Sequence, residues 1–189
     1  MESALIVSCM EKSSVLFTEL LYAASINQIV TSRSCTETRR LLLERDFDLV
    51  IVNAPLRDES GESLARHIVS KDISQVLLVV NNEFFDEVSA VCEADGVLTI
   101  AKPVNRELFW SALTLAKSAH NRKQRIRAEN TQVQQKIENI RIVDRAKWIL
   151  ISNLGISEQE AHRYIEKQAM DLRLTKRAVA EGILKKYEN

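Results

Sequence analysis

Residues 48–61 read "DLVIVNAPLRDESG": four aliphatic residues in an unbroken row, an asparagine, then a polar turn closed by Gly61. A strand with one solvated face would carry a polar residue at every second position. An unbroken run instead suits a strand buried on both faces of a parallel sheet. Similar runs are "ALIV" (4–7), "NQIVTS" (27–32), "QVLLVV" (75–80) and "GVLTIA" (96–101). The segments between them, "SSVLFTELLYAAS", "TETRRLLLERD", "ESLARHIVSKD" and "FFDEVSAVCEA", carry helical spacing. Strands alternating with helices predict an open, doubly wound α/β domain over residues 1–116, with function gathered at the carboxyl ends of the strands.

Beyond Lys102-Pro103 the pattern turns helical, and residues 104–154 contain no Gly or Pro. One long helix, or two nearly continuous ones, is expected to cross the domain boundary. Ile126, Val133 and Ile140 recur every seven residues, with Asn130 and Ile137 on the adjoining seam. Residues 117–144 therefore predict a helical coiled-coil linker, with Asn130 at a core position where a lone polar residue fixes register and favours two strands. The alternative is a single helix laying this stripe on its own α/β domain.

Residues 145–189 predict an all-α module of three helices. Gly155 stops the first helix, Ser157 and Glu160 form a capping box for the second with Ile156 and Ala161 as its staple, and Thr175 caps the third. The apolar positions form three stripes: Ile149, Leu150 and Leu154; Ala161, Ile165, Ala169 and Leu172; Val179, Ile183 and Leu184. A core from about 45 residues is marginal alone, which fits a module continuous with a coiled coil.

Composition narrows the function. The chain has 189 residues, is 46% hydrophobic and carries zero formal net charge, but the charge is unevenly placed. Residues 1–116 hold 17 Asp+Glu against 10 Lys+Arg, whereas residues 117–189 hold 16 Lys+Arg against 9 Asp+Glu. A basic tail suggests a polyanionic partner, although a plainly solvated surface has the same composition. No run approaches a membrane span of roughly 18 apolar residues, so a cytoplasmic protein with no membrane partner is expected. Cys9, Cys35 and Cys92 are odd in number, widely separated and without a CxxC pair, which argues for buried thiols over disulfides or zinc. His67, His120 and His162 are scattered. With no grouping of nucleophile, base or metal ligands, neither an enzyme nor a cofactor is expected.

The five-strand order, "DLVIVN" entering the loop after the third strand, Gly61 and the "AKP" after the fifth strand together resemble a response-regulator receiver domain of the CheY-like, flavodoxin-like class. That resemblance implies an aspartate that accepts a phosphoryl group at the end of the third strand. An acidic pair holding Mg2+, a Thr or Ser and a Lys would assist. Here the acidic pair falls on Ser8 and Cys9, the acceptor on Asn53 and the hydroxyl on Val80; Lys102 alone matches. An amide is a poor nucleophile, and Ser and Cys do not offer the hard anionic oxygens that Mg2+ requires. A degenerate, phosphorylation-independent receiver is therefore expected, in which Lys102 hydrogen-bonds the amide oxygen of Asn53 and braces the loops. Asp58 and Glu59 read as turn chemistry or solvated charge.

The tail resembles the ANTAR module of transcription antitermination regulators. Ala146-Lys147, Gly155-Ile156-Ser157, Ala161 with Tyr164, Ala169-Met170 and Val179-Ala180 occur in that family's order. The resemblance implies binding of tandem stem-loops in a leader RNA, which prevents a terminator from forming. The coiled-coil stripe predicts a homodimer, and a receiver without its nucleophile would take its signal from a protein partner, from a dimerisation equilibrium or from nothing at all. Arg145, Lys147, Arg163, Lys167, Arg173, Lys176 and Arg177 supply cations for phosphates; Tyr164 and Trp148 offer stacking faces. Ala146 beside Lys147 would let a backbone approach closely. Tyr164 reads equally as core with a wet hydroxyl, Trp148 reads first as packing, and Ala169-Met170 reads as close helix packing. A protein-interaction or sequestration module acting through the coiled coil is the alternative. Duplex DNA is weaker, since no recognition helix stands out in "TKRAVAEGILKKYEN".

Overall fold

The computed structural model describes residues 1–187, so the last two positions of the expected 145–189 segment lie outside the described residues. The chain divides into two compact units, Met1–Gln124 and Arg125–Asn189.

In the first unit five parallel strands, β1 (Ser3–Ser8), β2 (Gln28–Ser32), β3 (Leu49–Asn53), β4 (Gln75–Asn81) and β5 (Leu98–Lys102), lie in the order β2-β1-β3-β4-β5. The helices between them are α1 (Glu11–Ala23), α2 (Cys35–Glu44), α3 (Glu62–Ser70) and α4 (Phe85–Glu93), the last preceded by a 3-10 turn at Asn82–Phe84. Alternate residues of the three central strands feed two cores. Ala4, Ile6, Leu49, Ile51, Leu77 and Val79 meet α1 and the start of α5 (Arg106–Leu154), where Phe17 and Phe109 pack at 5.9 Å between ring centroids. Leu5, Val7, Val50, Val52, Val76 and Leu78 meet Leu64, Ala65 and Ile68 of α3 and Cys92 of α4. Burial on both faces therefore holds for β1, β3 and β4. It does not hold for β2 and β5, because the strand order leaves them at the sheet edges, with Gln28 and Thr31 exposed.

Two features of the loop after β3 anchor neighbouring elements. Gly61 sits at φ +91, where a Cβ would meet Val52 Cγ1 at 3.0 Å, and its carbonyl accepts from Ala65 N at 3.0 Å to start α3. Asp58, read from the sequence as turn or solvated charge, accepts from the backbone N–H groups of Cys35 and Thr36, both at 3.0 Å, and from the Thr36 hydroxyl at 3.1 Å. It thus satisfies the first donors of α2 alongside the local cap from Ser34. Glu59 forms a two-pronged ion pair with Arg39 on the same helix.

Helix α5 runs unbroken because nothing between 104 and 154 interrupts its backbone ladder. Past Ala116, its last residue in the core of the first unit, it is tied down by Lys117 Nζ, which donates to the Ala24 carbonyl at 3.0 Å, and by Lys123, which pairs with Asp72. It stops at Gly155, φ +67.

In the second unit α6 (Glu158–Leu172) opens with the expected capping box: Glu160 N donates to Ser157 Oγ at 3.3 Å and Ser157 N to Glu160 Oε2 at 2.8 Å. Thr175 Oγ1 accepts from Ala178 N at 3.1 Å to open α7 (Lys176–Tyr187). The bundle core is Ala146 and Leu150 of α5, Ala161, Ile165 and Ala169 of α6, and Val179, Ala180 and Ile183 of α7. Leu154 and Leu172, placed in the stripes from sequence, are exposed, since each is the last residue of its helix and lies past the covered turns. Arg173 closes α6 in the left-handed region at φ 53, with Leu174 N donating to the Ala169 carbonyl at 2.9 Å.

Two substitutions test these anchors. Gly61→Ala should lower stability by at least about 1 kcal/mol in urea unfolding, because a Cβ there meets both the left-handed backbone and Val52. Asp58→Asn should lower the urea midpoint at neutral pH. Backbone N–H donors hold the Asp58 carboxyl down at about 2 from 3.8, so its contribution is complete above 3.8 and is lost as pH falls through about 2. Midpoints of wild type and D58N measured across that window should converge at the acid end; a constant gap would remove the cap from the account.

Candidate functional site

The β1–β3 register pairs Ser8 with Asn53, and the β4–β5 register pairs Asn81 with Lys102, so the sheet itself gathers the receiver-type positions at the carboxyl ends of its strands. Ser8, Asn53 and Val80 are buried. Asn53 Nδ2 donates to Ser8 Oγ at 2.9 Å, and the Ser8 hydroxyl donates to the Met10 carbonyl at 3.1 Å. The Cys9 thiol donates to the Pro55 carbonyl at 3.5 Å. Lys102 does not reach the Asn53 amide oxygen, as the sequence suggested: its ammonium donates to the Ala54 carbonyl, while the Asn53 amide is turned toward Ser8. Burial pushes the Lys102 pKa down. Ser8, Cys9, Asn53 and Val80 thus bring no carboxylate to these strand ends.

Beside it, Pro55, Val80, Phe84 and Val88 line a hollow of about 330 Å3, and the Phe84 side chain stands half exposed at its lip. Valine in place of a hydroxyl makes the floor of this hollow apolar. Cys35, Asp58 and Glu59 offer three donor atoms within 4.8 Å of one another. Asp58 is engaged by α2 and Glu59 by Arg39, and burial raises the Cys35 thiol to about 11, so the cluster is poorly disposed toward a cation.

In the second unit the candidate RNA residues separate into three groups. Ala146 is fully buried in the bundle core and offers no surface; its small side chain lets α5 pack closely, which replaces the reading of a backbone approach by a ligand. Lys147, Lys176 and Arg177 are held by carboxylates of the chain itself. Asp144 and Glu158 raise the Lys147 pKa, and Lys176 in turn lowers that of Glu166. Arg163, Lys167 and Arg173 are exposed, and among the described residues neither Arg163 nor Lys167 has a carboxylate within ion-pair distance. Arg145 is exposed on α5.

The aromatic residues depart from expectation. Trp148 is 69% exposed and so is not packing, and Tyr164 is 44% exposed, on the flank of α6. Ala169 packs, whereas Met170 is 76% exposed, since one position further round the helix points away from the core. The linker stripe is uncovered: Ile126, Val133, Ile137 and Ile140 are 44%, 52%, 45% and 61% exposed, and Asn130 is exposed beside them. No helix among the described residues is long and apolar enough to cross a membrane.

Comparison with known proteins adds to this geometry. Residues 131–184 match the ANTAR domain. The chain is similar to the transcriptional regulatory protein PdtaR of Mycobacterium tuberculosis, strains H37Rv and CDC 1551, with 28% identity over 137 residues, or 72% of this chain and 67% of that protein. Among solved structures, the signal receiver domain of an HD domain-containing protein from Pseudomonas fluorescens Pf-5 has a TM-score of 0.58 at 21% identity, covering 66% of this chain and 94% of that one. A response regulator receiver domain protein from Clostridium thermocellum gives 0.57 at 22%, covering 67% and 99%. At such identities the likeness to these structures concerns the fold. The chain carries an ANTAR domain behind a receiver fold, which is the build of an ANTAR response regulator.

Proposed function

We propose that this protein is a transcriptional regulator that binds tandem stem-loops in a leader RNA and so prevents terminator formation, without phosphorylation of its receiver domain. The observation that carries the RNA reading is the outer face of α6. Ala161, Ile165 and Ala169 turn inward, which at 3.6 residues per turn leaves Arg163, Lys167 and Met170 on the opposite side. Two open cations with an apolar side chain beside them suit a phosphate backbone and an unstacked loop base, and Tyr164 and Trp148 add aromatic faces. Arg145 and Arg173 extend the cationic surface. Pairing of two hairpins follows from a homodimer joined along Ile126, Asn130, Val133, Ile137 and Ile140.

A second reading is favoured by the hollow at the strand ends. An apolar floor at Val80 with Phe84 at the lip suits a protein partner that acts through the receiver fold, either controlling the RNA-binding tail or using the chain as a sequestration module.

Fluorescence anisotropy of the full chain with tandem-hairpin RNA, single-hairpin RNA and duplex DNA, at two salt concentrations and without a phosphodonor, separates the readings. The tandem RNA should bind most tightly and weaken steeply with salt, and Arg163→Gln with Lys167→Gln should lower the log–log salt slope by about two. Equal, weak binding of all three would favour the protein-partner reading. Val133→Asp with Ile137→Asp should raise the dimer Kd at least about tenfold in sedimentation, since a carboxylate in the seam has no partner. Treatment with a small phosphodonor and Mg2+ should leave the intact mass unchanged; a phosphoryl adduct would remove the degenerate-receiver reading.

A further inference from the structure

Lys147, Lys176 and Arg177 are not scattered. They line one groove of about 390 Å3 in the second unit, with His162 on its rim and Ile140 and Val143 within it. Every cation there has an internal anion. Lys147 Nζ lies 2.8 Å from both Asp144 Oδ1 and Glu158 Oε1. Glu166 Oε1 accepts from Lys176 Nζ at 2.5 Å and lies 3.2 Å from His162 Nε2, so donors of α6 and α7 converge on one carboxylate. Arg177 Nε donates to Glu181 at 2.7 Å, and its guanidinium also reaches Asn139 Oδ1 at 3.0 Å.

A carboxylate drawn by donors from two helices has the charge and the acceptor geometry that two phosphate oxygens would bring. We infer that this groove is a phosphodiester subsite whose cations Lys147 and Lys176 are engaged by Glu158 and Glu166 in the free protein, and that these two glutamates set its selectivity. The inference rests on the RNA reading above and deepens it by naming where a strand enters and what it displaces. Both glutamates are partly exposed, at 62% and 40% of their side chains, and solvent-screened pairs of this kind exchange readily. A multiply charged strand can therefore displace them. An RNA loop that also lays an unstacked base on Val143 gains a contact that offsets the lost pairs. Duplex DNA, whose bases stay stacked, gains no such contact and meets the carboxylates as repulsion.

The test compares Glu158→Gln and Glu166→Gln in the full chain with Glu83→Gln, which makes the same charge change at an exposed position of the first unit. Anisotropy is read with tandem-hairpin RNA and with duplex DNA. Relative to E83Q, both variants should tighten duplex DNA by about tenfold and tandem RNA by about threefold or less, so that selectivity falls. Lys147→Gln and Lys176→Gln should each weaken the RNA by at least about threefold. If the wild type prefers tandem RNA but E158Q and E166Q match E83Q on both nucleic acids, the built-in anions have no part in selectivity and the inference falls while the RNA reading stands. If K147Q and K176Q leave RNA affinity unchanged, the groove is not a subsite. If the wild type itself shows no preference for tandem RNA, the RNA reading falls first and the subsite with it. Melting temperatures of the same variants separate a purely structural tie between α5 and α6, which would shift Tm in E158Q without changing selectivity.

Discussion

Because β1, β3 and β4 are buried on both faces, every polar side chain at their carboxyl ends must find its partner within the protein. That constraint orders the site. Ser8 and Asn53 lie in register on neighbouring strands and satisfy one another, and Cys9 and Lys102 turn to the backbone carbonyls of Pro55 and Ala54. The set is internally consistent: Ser8, Cys9, Asn53 and Lys102 each make a hydrogen bond to a strand end or to the loop that follows it. Lys102 donates to the Ala54 carbonyl, and burial lowers its pKa.

The same logic extends along the loop after β3. Asp58 and Glu59 are not surplus charge near a lost acceptor; they fasten α2, one through its first N–H groups and the other through Arg39. Gly61 then reverses the chain into α3 with no room for a side chain against Val52. The loop after β3 thus holds two helices in place.

Much of this architecture is legible in the sequence because it is local. Unbroken aliphatic runs mark the central strands, the absence of Gly and Pro marks α5, and Ser157 with Glu160 marks the start of α6, since each signal acts through its own neighbours along the chain. What sequence reasoning misses depends on contacts far apart in sequence. The Asp58 cap joins residues more than twenty positions apart, and the Lys102 partner depends on which way one amide turns. Edge position, which no strand announces in its own residues, decides that β2 is half exposed. In the tail the repeat of Ala161, Ile165 and Ala169 gives the inner face of α6. Whether a neighbouring side chain packs depends on where the other two helices end, which is why Trp148 and Leu172 are exposed and Ala146 is covered.

Charge shows most clearly why position outweighs total. A formal net charge of zero would suggest indifference to polyanions, and even the basic balance of the tail says little by itself. In the folded chain, cations of one residue type differ in what they can offer. Lys167 and Arg163 stand open on α6, whereas Lys147 and Lys176, a few ångströms from carboxylates, have their charge offset until something removes their partners. A strand arriving at the open face meets attraction at once, and one entering the groove must first exchange anions. Long-range attraction governs how fast any polyanion arrives, but the exchange is a short-range event that depends on the shape and stacking of the incoming strand. A surface with both kinds of cation can therefore approach nucleic acid with little discrimination and still retain it selectively, and that separation requires the acidic residues as much as the basic ones.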